Sequence, residues 1–156
     1  MNKTSPPEAR FSINLIVNNK NELLLLKRSD KLGLGPGKWG FPAGHIQTNE
    51  SPKQCAFREL NEEIGTNISL ELVRTLGPVR DSFYGGIYEV YLFQFHWFGG
   101  EIILNHEHTE FAWVAPEDYK TYDVMPGLDE DIALLKLWPI KYLDRNKLPG
   151  HLLTNS

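Results

Sequence analysis

The chain has 156 residues, a formal net charge of −4, 41% hydrophobic residues and 23% charged residues. This composition is typical of one globular domain and excludes a disordered chain. A single cysteine, Cys55, excludes an internal disulfide framework and favours a reducing compartment, so we expect a cytoplasmic protein. No apolar run approaches the ~20 residues of a membrane span, and no basic run predicts stable binding to nucleic acid phosphates.

The first part of the chain predicts a hairpin followed by a loop. Residues 11–17 and 22–27 are short apolar runs joined by polar residues, which predicts two paired β-strands. Residues 29–44 are rich in glycine and proline and carry Trp39 and Phe41, which predicts a long loop with a binding surface. The first ten residues of the chain, 1–10, are expected to be a flexible N-terminus.

The clearest local signature predicts a helix over residues 52–64. Ser51 and Gln54 have the spacing of a capping box, and Pro52 suits the first helical position. Gly65 can end the helix in a left-handed conformation. The apolar positions on one side, Phe57 among them, are expected to pack against a sheet.

The second part of the chain predicts strands and then a second helix. Strands are expected over 69–76 and 87–97, and Gly99 and Gly100 are expected to turn the chain into a second hairpin at 101–104. A short strand at 111–114, a helical turn at 116–119 and a helix at 128–137 complete the pattern. The order of elements predicts a mixed α/β domain over 11–140, followed by a C-terminal tail over 141–156.

Three glutamates of the predicted helix, Glu59, Glu62 and Glu63, fall within an arc of about 100°. Such close carboxylates repel each other, and Arg58 to Glu62 is the one compensating pair at helical spacing. A hard divalent cation with oxygen ligands would relieve the repulsion, and Mg²⁺ is the usual choice where phosphates complete the shell. A solvated acidic face is the competing interpretation.

The segment 44–66, GHIQTNESPKQCAFRELNEEIGT, resembles the signature of the Nudix (MutT-like) hydrolase family. That signature is Gly, five residues, Glu, seven residues, Arg-Glu, an aliphatic, any residue, Glu-Glu, any residue, Gly and an aliphatic. The matching positions are Gly44, Glu50, Arg58, Glu59, Leu60, Glu62, Glu63 and Gly65. Thr66 departs from the final aliphatic, and Ala43 stands where the family often has a second glycine. WGFPAG, LLLLKR and EHTEFAWV extend the resemblance over most of residues 11–114.

The resemblance implies an α/β/α sandwich with a mixed β-sheet between helices, and a loop–helix–loop metal site. Glu59, Glu62 and Glu63 would hold Mg²⁺, for which Mn²⁺ could substitute, and the carbonyl of Ala43 would add a ligand. Glu59 or a later loop carboxylate would be the general base. The structural members of the motif would be Gly44, Glu50, Arg58 and Gly65.

The segment NHEHTE at residues 105–110 is interpreted as the loop that supplies this later carboxylate. Glu110 is the first choice for the last ligand or the base, and Glu107 is the second. His106 and His108 are interpreted as polar loop residues, because no third ligand at zinc spacing accompanies them.

The family hydrolyses nucleoside diphosphates linked to another group, so the resemblance implies a nucleotide substrate and water attack on phosphorus. Trp39 and Phe41 are candidates for stacking on a base, and Arg28 for a phosphate contact. The first expectation is a nucleoside triphosphate pyrophosphohydrolase. A nucleotide-sugar hydrolase of the GDP-mannose or ADP-ribose kind, and a nucleotide-sensing module without turnover, are the alternatives. The oligomeric state is left open, a homodimer included.

Overall fold

The computed structural model describes residues 5–31 and 35–153. Predictions that concern residues 1–4, 32–34 and 154–156 lie outside these ranges. The strands are β1 (Ala9–Val17), β2 (Leu23–Arg28), β3 (Trp39–Gly40), β4 (Ala43–His45), β5 (Ile68–Arg80), β6 (Tyr88–Gly100) and β7 (His108–Val114). The α-helices are α1 (Pro52–Ile64), α2 (Leu128–Leu134) and α3 (Gly150–Leu153), and 3₁₀ turns cover Pro116–Thr121, Ile140–Tyr142 and Arg145–Lys147.

The strands form one mixed sheet with the order β3-β2-β1-β6-β5, in which β4 also pairs with β1 and β7 with β2. β1 and β6 run parallel, and the other strand pairs are antiparallel. The predicted first hairpin is confirmed, because Val17 pairs with Leu23 across its closed end.

The four consecutive leucines of β2 show why the sheet is covered on both faces. Leu23 and Leu25 pack in a core cluster with Leu128 and Ile132 of α2. Leu24 and Leu26 pack in a second cluster with residues of α1. Side chains of a strand alternate between the two faces, so a strand buried at every position requires a layer on each side. The result is the predicted α/β/α arrangement.

Helix α1 has the predicted bounds. Ser51 accepts a hydrogen bond from the Gln54 amide at 3.1 Å, and the Gln54 side chain accepts from the Ser51 amide at 2.8 Å, which completes the capping box. Gly65 follows with φ +89° and an extended ψ, so its conformation is not the left-handed helical one that was predicted. Phe57 is 41% exposed rather than buried, although its ring meets that of Phe95 edge-on at 5.5 Å.

Three other predictions about elements are corrected. The loop over 29–44 contains β3 and β4, because β2 and β1 offer these short segments free edges for pairing. Residues 101–104 form no strand: Gly99 and Gly100 stay in β6 and pair with Ser69 and Ile68, so the second hairpin joins β5 to β6. Helix α2 ends at Leu134 rather than at 137, and Lys136 beyond it has φ +53°.

The ends of the domain differ from the simple division into tail, domain and tail. β1 begins at Ala9. Leu143 and Leu148 are buried in the core cluster on the α2 side. Asp129 of α2 accepts hydrogen bonds from the Tyr119 hydroxyl at 2.9 Å and from the Asp144 amide at 2.8 Å, which holds the C-terminal segment against the domain.

Candidate active site

Two of the three helix glutamates are buried, and the third is on the surface. Glu59 and Glu63 lie one turn apart on α1, are 9% and 1% exposed, and both face β4. The side chain of Glu62 is 50% exposed. The predicted acidic face is therefore a buried pair with an exposed carboxylate beside it, because the sheet covers only part of the arc.

The surroundings of Glu63 disfavour the ionised form of its carboxyl group. Its Oε1 accepts a hydrogen bond from the backbone amide of Ala43 at 3.3 Å. Burial, followed by the neighbouring carboxylate of Glu59, raises the pKa of Glu63 to about 10. The carboxyl thus lies in a dry, negative environment where a cation would favour its ionised form.

His108 lies close to Glu63, but it is not a counter-ion. Its Nδ1 lies 4.0 Å from Oε1 of Glu63 and has no hydrogen-bond partner in the part of the chain that the structure describes. Burial, and then the charge of Arg28, lowers the pKa of His108 to about 4, so the imidazole is neutral at pH 7. The buried acid pair therefore receives no compensating charge from it.

Arg58 holds the start of the helix to the preceding loop. Its Nε and Nη2 donate to the two oxygens of Glu50 at 2.6 and 2.9 Å, a bidentate pair that lowers the pKa of Glu50 to about 2. Nη1 contacts Glu59 at 2.7 Å, and Nη2 donates to the carbonyl of His45 at 3.0 Å. Glu62 is 3.5 Å away and exposed, so Arg58 pairs mainly with Glu50 and Glu59 rather than with Glu62 as predicted.

Gly44 allows β4 to approach this helix closely. A Cβ atom at position 44 would overlap the side chain of Glu59. The backbone at Ala43 and Gly44 is not in the positive-φ region, so it is the absence of a side chain, rather than a special dihedral angle, that position 44 requires. Position 43 accommodates an alanine because its φ is not positive.

The donors available here suit a hard divalent cation. They are carboxylate oxygens of Glu59, Glu62 and Glu63 beside the backbone of Ala43, and a bound cation would favour the ionised form of Glu63. Among the described residues, no three acidic, histidine or cysteine side chains converge as a ready ligand cage. Such a partial donor set fits Mg²⁺, which usually keeps several waters and takes substrate phosphates as further ligands.

The structure separates the two acids of the 105–110 segment. β7 begins at His108. Lys27 of β2 pairs with Glu110, but the next residue, Arg28, pairs with His108, so the register shifts by one residue at this point. Lys27 is two residues beyond Leu25, so side-chain alternation places Lys27 and its partner Glu110 on the α2 face. There the Glu110 carboxylate contacts Nζ of Lys27 at 3.5 Å. His108 instead lies beside Glu63 on the α1 face.

Glu107 is linked to the buried acids by its charge. Its charge contributes to the raised pKa of Glu63, and its carbonyl accepts a hydrogen bond from the amide of Ser29 at 2.9 Å. The Asn105 side chain donates to its carboxylate at 3.3 Å. The charge of Glu107, the second choice of the sequence, therefore acts on Glu63, whereas Glu110 lies on the opposite face of the sheet.

A cavity of about 180 Å³ opens on the α2 face of the sheet. Its walls are mainly apolar and aromatic and include Phe11, Phe41, Tyr84, Tyr88 and Leu128. Ala43, which donates its amide to Glu63, also belongs to the wall, and so does Arg28. Ala43 thus links the wall of the cavity to the buried acid pair.

Two of the three predicted substrate-contact residues line this cavity, and the third does not. Arg28 and Phe41 line it. Trp39 is not among the described residues of its wall: the indole meets the ring of Tyr122 edge-on at 5.1 Å, and the Trp39 backbone exchanges hydrogen bonds with Asp123 and Met125. Trp39 supports the segment that closes the cavity rather than forming its surface.

Sequence reasoning missed the acids of α2 as site residues. Glu130 and Asp131 line the cavity, although acids in the first turn of a helix are also explained by the helix dipole. The spacing contained a signal, because Asp131 stands next to Ile132 and one turn from Leu128 and Leu135, on the apolar stripe of the helix.

The comparisons with known proteins agree with this architecture. The model of the NUDIX domain matches residues 7–134, so the chain belongs to the NUDIX family and is a Nudix hydrolase. The nucleoside triphosphatase NudI of Escherichia fergusonii is 31% identical over 128 residues, which are 76% of this chain and 91% of that protein. NudI of Escherichia coli O139:H28 is 30% identical over 118 residues, or 70% of this chain and 84% of that protein.

Solved structures show the same fold. The MutT protein of Methanosarcina mazei Go1 has a TM-score of 0.65 and 27% identity, over 85% of this chain and 94% of that one. An Ap4A hydrolase of C. elegans has a TM-score of 0.64 over 82% of this chain and 95% of that one, and its 21% identity supports the fold alone. Nudix hydrolases generally need a divalent metal. None of the helices in the described ranges has the length and apolar character to cross a membrane.

Proposed function

We propose that this Nudix hydrolase is a Mg²⁺-dependent nucleoside triphosphate pyrophosphohydrolase, which releases a nucleoside monophosphate and pyrophosphate. The observation that carries the proposal is the junction at Ala43 between the apolar cavity and the buried acid pair. A nucleoside in the cavity would extend its phosphates past Arg28 toward Glu59 and Glu63. The identity of about 30% with NudI nucleoside triphosphatases supports the same substrate class.

Each group of the site has a distinct task. Glu59, Glu62 and Glu63 hold the cation with the backbone of Ala43. When bound, Mg²⁺ neutralises phosphate charge and acidifies a coordinated water. Arg28 contacts the phosphate chain, and Phe41 packs against the base. Arg58 and Glu50 keep α1 in register with β4.

The reaction needs a carboxylate that takes the proton of the attacking water. Water oxygen forms the new bond to phosphorus, and the bridging oxygen leaves with pyrophosphate. Glu107 is the loop carboxylate proposed for the proton, because its charge acts on Glu63, whereas Glu110 is exposed and pairs with Lys27. Glu59 is the alternative base that the motif allows.

A substrate panel tests the proposal. Ribonucleoside and deoxyribonucleoside triphosphates, ADP-ribose and GDP-mannose are incubated with Mg²⁺, and products are separated by anion-exchange chromatography. We expect monophosphate and pyrophosphate from a triphosphate, no turnover in EDTA, and recovery with Mg²⁺ or Mn²⁺. Glu62→Gln and Glu63→Gln should each lower kcat by about 100-fold or more without unfolding the protein.

Three outcomes contradict the proposal. Turnover of ADP-ribose or GDP-mannose with a kcat/KM about tenfold above every triphosphate would assign a nucleotide-sugar hydrolase instead. Binding of nucleotides without any turnover would assign a sensing module. Full activity in a verified metal-free preparation would remove the metal from the mechanism.

A further inference from the structure

A second cavity, of about 440 Å³, is lined by the first and the last of the 3₁₀ turns. The first turn contributes Tyr119 and Lys120 to its wall, and the last turn contributes Arg145 and Lys147. We call it the C-terminal cavity. Its volume falls within the roughly 300–1,000 Å³ that is typical of small-molecule sites.

The C-terminal cavity is separate from the cavity beside Ala43. Helix α2 contributes neighbouring residues to both: Asp129 lines the C-terminal cavity, whereas Leu128 and Glu130 line the other one. Among the described residues, the two walls have no member in common, and neither glutamate of the buried pair belongs to the C-terminal cavity. A ligand bound there would therefore leave the candidate active site free.

One buried carboxylate fixes the two turns relative to each other. Asp129 is fully buried, and its two oxygens accept hydrogen bonds from the Tyr119 hydroxyl at 2.9 Å and the Asp144 amide at 2.8 Å. Lys120 follows Tyr119 in the chain, and Arg145 follows Asp144. The backbones of these two basic residues are thus held by the same carboxylate, and such preorganisation lowers the cost of binding a ligand between them.

The acids of the wall are occupied by hydrogen bonds, whereas its cations are not paired. Both oxygens of Asp129 have donors, and the Asp144 carboxylate accepts from the Asn146 amide at 2.9 Å. In the part of the chain that the structure describes, no carboxylate forms an ion pair with the basic side chains of the wall, which are those of Lys120, Arg145 and Lys147. The C-terminal cavity therefore presents positive charge in a chain whose net charge is −4.

The types of side chain in the wall favour a phosphate group as the ligand. The guanidinium of Arg145 can donate paired hydrogen bonds to phosphate oxygens, and lysine ammonium groups add charge without a fixed geometry. A phosphate ester carries about two negative charges at pH 7, which a group of cations matches better than the single charge of a carboxylate. Tyr119 and Tyr122 add aromatic surface for an organic group attached to the phosphate.

We propose that the C-terminal cavity is an anion-binding site, in which Lys120, Arg145 and Lys147 bind the phosphate group of a small phosphorylated molecule. Arg145 provides the paired contact, and the two lysines neutralise the remaining charge. Asp129 is a positioning residue that holds the two turns and does not contact the ligand. The site goes beyond the proposed function and does not depend on it.

Calorimetry in EDTA tests the proposal, because the acid pair of the candidate active site then has no cation with which to attract phosphate. The probes are pyrophosphate, orthophosphate and ribose 5-phosphate, with acetate as the comparison at equal ionic strength. The wild-type protein should bind at least one phosphate probe about tenfold more tightly than acetate. Ribose 5-phosphate as the tightest probe identifies a phosphate ester as the ligand class, and either of the other two identifies an inorganic phosphate.

Two variants and a matched control locate the bound anion. Lys120→Gln and Arg145→Gln should each weaken phosphate binding by about tenfold. Lys141→Gln removes an exposed lysine that lies over the Tyr142 ring and outside the wall, so binding should stay within about twofold of the wild type. Because all three side chains are exposed, thermal melts of the three variants should match that of the wild type.

Amide chemical shifts provide a second readout of the position. The tightest probe, added to isotope-labelled protein, should shift the amides of residues 119–122 and 144–147 most. Equal affinity for acetate and the phosphate probes, equal binding by Arg145→Gln and Lys141→Gln, or largest shifts at residues 41–45 would overturn the proposal. Since divalent metal is excluded, each outcome is independent of whether the protein hydrolyses triphosphates.

Discussion

Gly44 and Glu59 occupy adjoining space: the glutamate side chain fills the position that a Cβ atom of residue 44 would take. The contact joins β4 to α1 and aligns Glu59 with Glu63 beside Ala43. Since a buried acid pair can hold a cation only if both carboxylates are correctly placed, the smallness of residue 44 is part of the candidate metal site.

Replacement of Gly44 by alanine tests this relationship. We expect Gly44→Ala to displace Glu59 and to weaken Mg²⁺ binding by about 10- to 100-fold, measured by calorimetry. Gly150→Ala is the matched control, because a Cβ at position 150 would meet no atom within 4 Å. Equal Mg²⁺ affinity in Gly44→Ala and the wild type would show that Glu59 does not need this position.

The two acids near the start of β7 should differ in their effect on catalysis. Glu107→Gln should lower kcat by about 100-fold, because Glu107 is the proposed proton acceptor and its charge acts on the buried Glu63. Glu110→Gln removes only the exposed contact with Lys27 and should keep kcat and Tm within the error of a steady-state assay and a thermal melt. If Glu110→Gln had the lower kcat of the two variants, Glu110 rather than Glu107 would be the catalytic loop carboxylate.

Arg58 should support both stability and activity. Arg58→Ala removes the bidentate pair with Glu50, the contact with Glu59 and the bond to the His45 carbonyl, so Tm should fall by several degrees and kcat should fall with it. Arg58→Lys should recover little of either, since an ammonium cannot reproduce the forked geometry. A melt and a rate assay on both variants check this, and a lysine variant with wild-type values would contradict it.

Asp131 should make stability depend on pH. Its pKa is raised well above 3.8 in the folded protein, so between 3.8 and that raised value the unfolded chain is ionised while the folded protein keeps its proton. The folded state binds more protons, and the free energy of unfolding therefore falls as pH rises through this window. Asp131→Asn cannot titrate, so its Tm advantage should be smallest near pH 4 and grow toward pH 7.

Thermal melts between pH 4 and 8 measure this difference. The control is Asp118→Asn, which changes an exposed acid of the preceding 3₁₀ turn. Its melting curve should follow that of the wild type at every pH. A Tm difference for Asp131→Asn that stays constant with pH would mean that the buried carboxyl does not contribute to the pH dependence.

The sequence alone was sufficient for helix α1, its capping box and the spacing of the metal motif, because these depend on residues close together in the chain. The arrangement with helices on both faces was also readable, since strands and helices alternate along the chain and the run of leucines in β2 needs cover on each side. These features follow from residue patterns along the chain, and such patterns can be read from a single sequence.

Only the tertiary structure decided which candidates meet at the site. A register shift between β2 and β7 places His108 beside Glu63 and Glu110 on the opposite face, and no pattern in NHEHTE indicates that shift. Asp129, Glu130 and Asp131 are equivalent as sequence, yet Tyr119, Asp144 and Ser82 satisfy the first two and leave the third at the cavity. The role of an ionisable side chain depends on partners distant in the chain, and folding alone brings those partners together.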